Sequence, residues 1–273
     1  MKRIISIKTI AHKYDYFLFD QWGVLHNGYK VFEDAIDCLQ ELKNLNKKNI
    51  LISNSSNLTK FSIKGLRSLG IEDELYDYSI TSGEIAYRYF EKEIFNKYGN
   101  KCFPLSLSKE KIKMFDLNVT KDIKKSNFVL IADIKKGSNI FDFIENLKKM
   151  LSFELPLVCT NPDFQVDNNN KIQMCGGTIA QLYEDMGGKV HRYGKPYNPI
   201  YMNIIKKFNI KDPKKVLAIG DSFNHDILGA SNQGFDSNWI ENGIHRSEAK
   251  DQKKLDWYFS HFKPNYCQFM LKF

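Results

Sequence analysis

No stretch of this 273-residue chain stays apolar for the length of a membrane span, so a helical anchor is not expected. The segment Met1-Lys2-Arg3-Ile4-Ile5-Ser6-Ile7-Lys8 is basic but has no continuous apolar run, which argues against a secretory signal. Cysteines are few and unpaired in pattern: there are five, an odd number, with none at redox or zinc spacing. Cys38, Cys159 and Cys175 sit in apolar contexts and read as small buried hydrophobes, which fits a reducing cytoplasm. The formal net charge is +8, from 40 Lys and Arg against 32 Asp and Glu, yet no basic helix or aromatic-basic module stands out. The lysines are spread along the chain beside asparagine and isoleucine. They read as a solvated surface, with no nucleic-acid or membrane partner, whose field still favours the approach of small anions.

What is present is a set of short apolar runs that end in chemistry. Tyr16-Phe17-Leu18-Phe19 runs into Asp20, and Val216-Leu217-Ala218-Ile219 runs through Gly220 into Asp221, with Asp226 five residues on. Uninterrupted runs of this length suit strands buried on both faces of a parallel sheet, so the acids fall at strand carboxyl ends, where open α/β sheets bind ligands. Carboxylates gathered there repel one another unless a hard cation sits among them. An Asp after a strand is also an ordinary helix cap, and Asp221-Ser222 would serve as one. Two further motifs shift the balance: Asn49-Ile50-Leu51-Ile52 ends in Ser53 and Asn54, and Arg192-Tyr193-Gly194 ends in Lys195-Pro196. The four together supply a nucleophile, a phosphate donor, a cation and a metal cage.

In this order and spacing the motifs resemble the haloacid dehalogenase-like (HAD) phosphohydrolase superfamily. The likeness to its class IIA branch is closer still, through Asp20-Gln21-Trp22-Gly23-Val24-Leu25-His26-Asn27-Gly28, Ile52-Ser53-Asn54-Ser55-Ser56, Thr160-Asn161-Pro162-Asp163, Gly194-Lys195-Pro196 and Gly220-Asp221-Ser222-Phe223-Asn224-His225-Asp226. These run from about Tyr14 to Gly243. The resemblance implies a Rossmann-like three-layer α/β core with a parallel sheet and an inserted α/β cap of the C2 type. It also implies a catalytic Asp20 that takes up the phosphoryl group, and Mg2+ held by Asp20, Asp221 and the Trp22 carbonyl. Asp226 then stands behind the metal, Lys195 supplies positive charge, and Ser53 with the Asn54 amide holds the phosphoryl oxygens.

One residue that the family usually has is missing. Most HAD phosphatases carry a second aspartate two residues after the nucleophile to protonate the leaving group, and here that position is Trp22. An indole cannot pass the proton, and general acid-base catalysis is worth about 10²- to 10⁴-fold. Acidic leaving groups would suffer least. His26, in the same loop, is a candidate catalytic substitute because an imidazole titrates near neutrality; the alternative is that it only packs. Asp-x-Trp-Gly-Val-Leu-His also marks a related class IIA branch, so Trp22 reads as a subfamily trait.

The interval from Ser53 to Lys195 far exceeds one crossover helix. We place an inserted cap at 83–189 and the core at 1–82 and 190–273, with Val190 to Tyr193 expected as a core strand. Inside the insert, Phe128 to Ala132 and Leu157 to Thr160 read as strands, with Phe141, Ile144, Leu147 and Leu151 as a helical face between them. In the core, Ala35, Ile36, Leu39, Leu42 and Leu45 form one helical face, and Ile200, Tyr201, Ile204, Ile205 and Phe208 another. Asn161 and Asp163 are candidates for substrate contact, although Asn-Pro-Asp is a strong turn former. Gly176-Gly177 either lets substrate approach or simply opens a helix. The aromatic tail from Asp256 to Phe273 packs on the core or makes a homo-oligomer contact. Three functions stay open: a Mg2+-dependent phosphatase of a small, sugar-phosphate-like metabolite; a phospho-ligand-binding protein with impaired turnover; and phosphoryl transfer to an acceptor other than water, for which no water-excluding feature is evident.

Overall fold

The apolar runs become strands, and the burial of Tyr16–Asp20, Lys48–Ser53 and Val216–Gly220 is nearly complete. In the computed structural model, which describes residues 1–168 and 171–273, these three form the middle of a seven-stranded sheet. Its order is Lys2–Arg3, Tyr266–Gln268, Asp236–Ile240, Val216–Gly220, Tyr16–Asp20, Lys48–Ser53, Tyr78–Thr81. Every pairing from Lys2–Arg3 across to Lys48–Ser53 is parallel. Register then decides which residues meet. Ile219 lies opposite Phe19 and Asp20 opposite Ile52, so Gly220, Asp20 and Ser53 reach the same carboxyl edge.

The chain divides into two α/β units: Met1–Ser53, Lys60–Ile80 and Lys195–Phe273 form one, and Asn54–Thr59 with Thr81–Gly194 the other. In the first, the helix Ala35–Asn44 buries Ala35, Cys38, Leu39 and Leu42, while Leu45 is exposed. The helix Asn198–Phe208 buries Ile200, Tyr201 and Ile204. The aromatic tail does pack on the core. Tyr266–Gln268 slots between Lys2–Arg3 and Asp236–Ile240, and the helix Gln252–His261 delivers Leu255 and Tyr258 to a cluster with Phe223, Trp239 and Cys267.

The second unit has its own five-stranded sheet, all parallel, in the order Val190–Arg192, Leu157–Cys159, Phe128–Ile131, Lys101–Ser106, Asn118–Val119. Val190–Arg192 is therefore not a strand of the core sheet, contrary to the expectation from its nearness to Lys195. Val190 pairs with Leu157, and a three-residue strand is too short for its own pattern to say which sheet it joins. The helix Phe141–Ser152 forms as expected but with its inward face shifted: Leu147 is buried and Leu151 packs against the core as expected, joined by Phe143 and Met150, whereas Phe141 is 85% exposed. Among the described residues all five cysteines are buried and free.

Candidate active site

The carboxyl edge of the first sheet gathers charge. Lys195 Nζ lies 2.7 Å from Asp20 Oδ1 and 2.7 Å from Asp226 Oδ1. Asp20, Asp221 and Asp226 each offer an oxygen, and these atoms lie within 4.8 Å of one another. All four side chains are buried, Lys195 to 2% exposure and Asp226 to 4%. One ammonium among three carboxylates leaves a surplus of negative charge in a poorly solvated space. Burial, then the neighbouring Asp226, pushes the Asp20 carboxyl well above the usual carboxylate range, with Lys195 pulling the other way. Buried like charges are tolerated only when something compensates them.

Backbone donors fix each acid. The Gln21 N–H donates to Asp20 Oδ1 at 2.8 Å, the Ile244 N–H to Asp221 Oδ2 at 2.8 Å, and the Ser222 N–H to Asp226 Oδ2 at 3.1 Å. Trp239 Nε1 donates to the Asp221 carbonyl at 3.2 Å. Phe223, between the two loop acids, is fully buried with ring centroids 4.4 Å from both Trp239 and Tyr258. The loop from Gly220 to Asp226 is thus braced from behind by Trp239 of the strand Asp236–Ile240 and Tyr258 of the aromatic tail. Space is as tightly set as charge. Gly23 has φ +80°, in the left-handed region that favours glycine, and a Cβ there would come 2.0 Å from Asp221 Oδ2.

Trp22 and His26 lie in the turn after Asp20, which closes through Gly23 N–H to the His26 carbonyl at 2.9 Å. The Trp22 ring lies over Gly28, where a Cβ would sit 2.2 Å from Cη2, and meets the His26 ring edge-on at 5.7 Å. His26 Nδ1 accepts the Gly28 N–H at 3.0 Å, and burial lowers the imidazole pKa to about 4. A histidine in this state is neutral at pH 7 with one nitrogen committed to the loop. Burial and the Gly28 bond are what act on this imidazole here, and both disfavour its charged form.

Ser53 ends the strand beside Asp20 and is buried. Asn54 opens the second unit, and its Nδ2 donates to Asp163 Oδ1 at 2.7 Å. Asn161 Oδ1 accepts the Asp163 N–H at 3.1 Å, the bond of an Asn-Pro-Asp turn. Gly176 and Gly177 open the helix Gly176–Asp185 against that turn: a Cβ on Gly177 would meet the Pro162 carbonyl oxygen at 2.0 Å. Of the residues expected from sequence, Asp20, Lys195, Asp221 and Asp226 therefore converge, Ser53 and Trp22 flank them, and the Asn161 and Gly177 contacts described are those of a turn.

Comparisons with known proteins follow this geometry. Family models described as haloacid dehalogenase-like hydrolase and HAD-hydrolase-like match residues 17–118 and 192–264. The chain is 26% identical over 250 residues to a 4-nitrophenylphosphatase of Schizosaccharomyces pombe, covering 82% of each. A crystal structure of a haloacid dehalogenase-like hydrolase from Brucella suis superposes with a TM-score of 0.86 at 25% identity, over 98% of this chain and 99% of that one. A 4-nitrophenylphosphatase from Thermotoga maritima shares the fold with a TM-score of 0.70 at 22% identity, over 94% and 95%.

The chain belongs to the haloacid dehalogenase-like hydrolases. Within this hydrolase, sequence reasoning missed the residues that hold the acids: Trp239, Tyr258, Gly243 and Ile244. Gly243 leaves room where a Cβ would meet Asp221 Cβ at 2.2 Å. The one available signal was Phe223, an apolar residue set between acids, which had to pack against something.

Proposed function

We propose that this haloacid dehalogenase-type phosphatase hydrolyses small, sugar-phosphate-like or aryl phosphomonoesters in the cytoplasm with Mg2+ as cofactor. The meeting of Asp20, Asp221 and Asp226 around Lys195 is the observation that carries the reading. An all-oxygen donor set with surplus negative charge suits a hard divalent cation. The side chains of Asp20 and Asp221 and the Trp22 carbonyl would hold it, with Asp226 behind, orienting Lys195. When bound, Mg2+ supplies the positive charge that lets a carboxylate approach a phosphate dianion and that stabilises the equatorial oxygens.

The protein's own groups do the rest. Asp20 attacks phosphorus, the ester P–O bond breaks, and the leaving group departs as an oxyanion, giving an aspartyl phosphate. Water then attacks that phosphorus, inorganic phosphate leaves and the Asp20 carboxylate is restored. Lys195 and the Gln21 N–H keep the Asp20 carboxylate in one rotamer. Ser53 and the Asn54 amide donate to the phosphoryl oxygens. Because Trp22 offers no transferable proton, the leaving group departs unassisted. Aryl, enol and acyl phosphates are then the fastest substrates, in keeping with the substrate in the name of the fission-yeast relative. A second reading, a phospho-ligand-binding protein with little turnover, rests on the same Trp22.

Steady-state hydrolysis of 4-nitrophenyl phosphate and of a sugar phosphate, with and without Mg2+, tests the proposal. The expected result is Mg2+-dependent turnover, faster on the aryl ester, that Asp20→Asn reduces by about 10⁴-fold or more. No turnover on either ester, with ligand-induced stabilisation retained, favours the binder.

A further inference from the structure

The residues that follow the strand Lys48–Ser53 change allegiance: Asn54–Thr59 packs as part of the second unit, although the strand belongs to the first. Its hold on this loop is dense and directional. Lys111 Nζ donates to Ser56 Oγ at 2.8 Å and to Asn57 Oδ1 at 2.5 Å, and Ser56 Oγ donates to Asp133 Oδ1 at 3.2 Å. Thr81 Oγ1 donates to the Asn57 carbonyl at 2.6 Å, and the Gly83 N–H to the Ser55 carbonyl at 3.0 Å. A Cβ on Gly83 would lie 2.2 Å from the Ser56 carbonyl oxygen, so the helix Ser82–Tyr89 starts in contact with the loop backbone. Asp163 adds the bond to Asn54 already described.

Lys111 is the unusual member. It stands on a short helix, Lys109–Met114, more than fifty residues further along the chain, and only 8% of it is exposed. Asp133 is the charged group beside it, 4.0 Å away, and burial lowers the lysine pKa to about 8. Burying an ammonium costs more than burying an apolar side chain of the same length unless its donors are filled. Apolar packing would hold a merely structural loop at lower cost. What a lysine adds is a fixed direction: it sets the positions of Ser56 and Asn57, two and three residues after the strand-end amide.

We infer that Lys111 is a positioning residue for phosphate binding, holding the loop through Ser56 and Asn57 so that the Asn54 amide stays aimed at the phosphoryl group. The inference rests on the reading above that Ser53 and Asn54 receive the phosphoryl oxygens. It separates two functions that a phosphatase assay alone merges. Metal binding depends on Asp20, Asp221 and Asp226, whereas phosphoryl binding depends in part on Lys111 through its loop.

The test uses the full chain with Lys111→Met and, as a milder variant of the same contact, Ser56→Ala. Calorimetry reads Mg2+ affinity, and inorganic phosphate as a competitive inhibitor of 4-nitrophenyl phosphate hydrolysis reads phosphoryl binding. We expect Mg2+ affinity unchanged in both variants, phosphate inhibition weakened about tenfold in Lys111→Met and less in Ser56→Ala, and kcat reduced in parallel, as for a misplaced binding group. Wild-type phosphate inhibition in both variants overturns the role of Lys111. So does an equal loss of Mg2+ and phosphate binding, which marks general unfolding. If instead Asp20→Asn keeps its hydrolytic activity, the reading of the site itself fails.

Discussion

Both units carry a parallel sheet flanked by helices, and in both the loops at the strand carboxyl ends are rich in polar residues, yet the two edges are put to different use. At the first sheet Asp20, Asp221, Asp226 and Lys195 point at one another and are buried. At the second, the residues after Leu157–Cys159 satisfy their own backbone: Asn161 caps Asp163, Cys159 Sγ contacts the Asn161 carbonyl at 3.1 Å, and Thr178 Oγ1 bonds the Phe164 carbonyl at 2.5 Å. A strand edge of an α/β sheet is where a site is allowed. What sets the first edge apart is the convergence of three buried carboxylates about one lysine.

Two glycines give the sharpest way to break this comparison. Gly23→Ala would force a methyl into Asp221 at a left-handed backbone position, and Gly177→Ala would force one into the Pro162 carbonyl. We expect Gly23→Ala to cost about 10²-fold or more in kcat/KM and to weaken Mg2+ binding, because the acid itself is displaced. Gly177→Ala should lower the melting temperature of the second unit and leave Mg2+ affinity unchanged. Equal effects of the two on Mg2+ binding would erase the distinction.

Trp22→Asp has the next largest effect and sharpens the chemistry of the first edge. Supplying an acid there should accelerate alkyl ester hydrolysis by about 10²-fold and aryl ester hydrolysis far less. A uniform change on both esters would show that protonation of the leaving group does not limit the rate. The smallest effect concerns stability. His26 has a pKa near 4 when folded against 6.5 in its ordinary state, so the unfolded chain binds its proton first as pH falls. The neutral, loop-bonded imidazole stabilises the fold fully above about pH 6.5, and that contribution is lost as pH drops toward 4. His26→Asn should flatten the slope of stability between those limits by on the order of 2 kcal/mol, measured by urea denaturation across the range; His245, which is also lowered to about 4, keeps part of it.

Much of the first edge was legible in the chain because the code there is simple. A buried strand needs an unbroken apolar run, and an acid ending such a run has nowhere to go but the sheet edge; Asp20 and Asp221 announce themselves in this way. Lys195 was legible through its order among the motifs. Residues that act by packing were not. Trp239 and Tyr258 brace the Asp221 loop from nearly twenty and nearly forty residues away, and nothing in the local pattern says which loop they touch. Val190–Arg192 carried a strand signal but no address, and Phe141 completed an apolar spacing that the fold leaves in water. For His26 residue type suggests a group that titrates near neutrality, whereas its burial and the bond from the Gly28 N–H, which no local pattern announces, lower its pKa to about 4.

The claim beneath all of this is that three buried carboxylates and one lysine form a seat for a divalent ion beside the attacking acid. Isothermal titration of Mg2+ into the wild-type chain and into Asp221→Asn measures it directly. One ion per chain should bind the wild type, with binding lost or weakened by at least about tenfold in the variant. Equal binding by both chains would contradict the account, as would no binding by the wild type in the presence of a phosphate analogue.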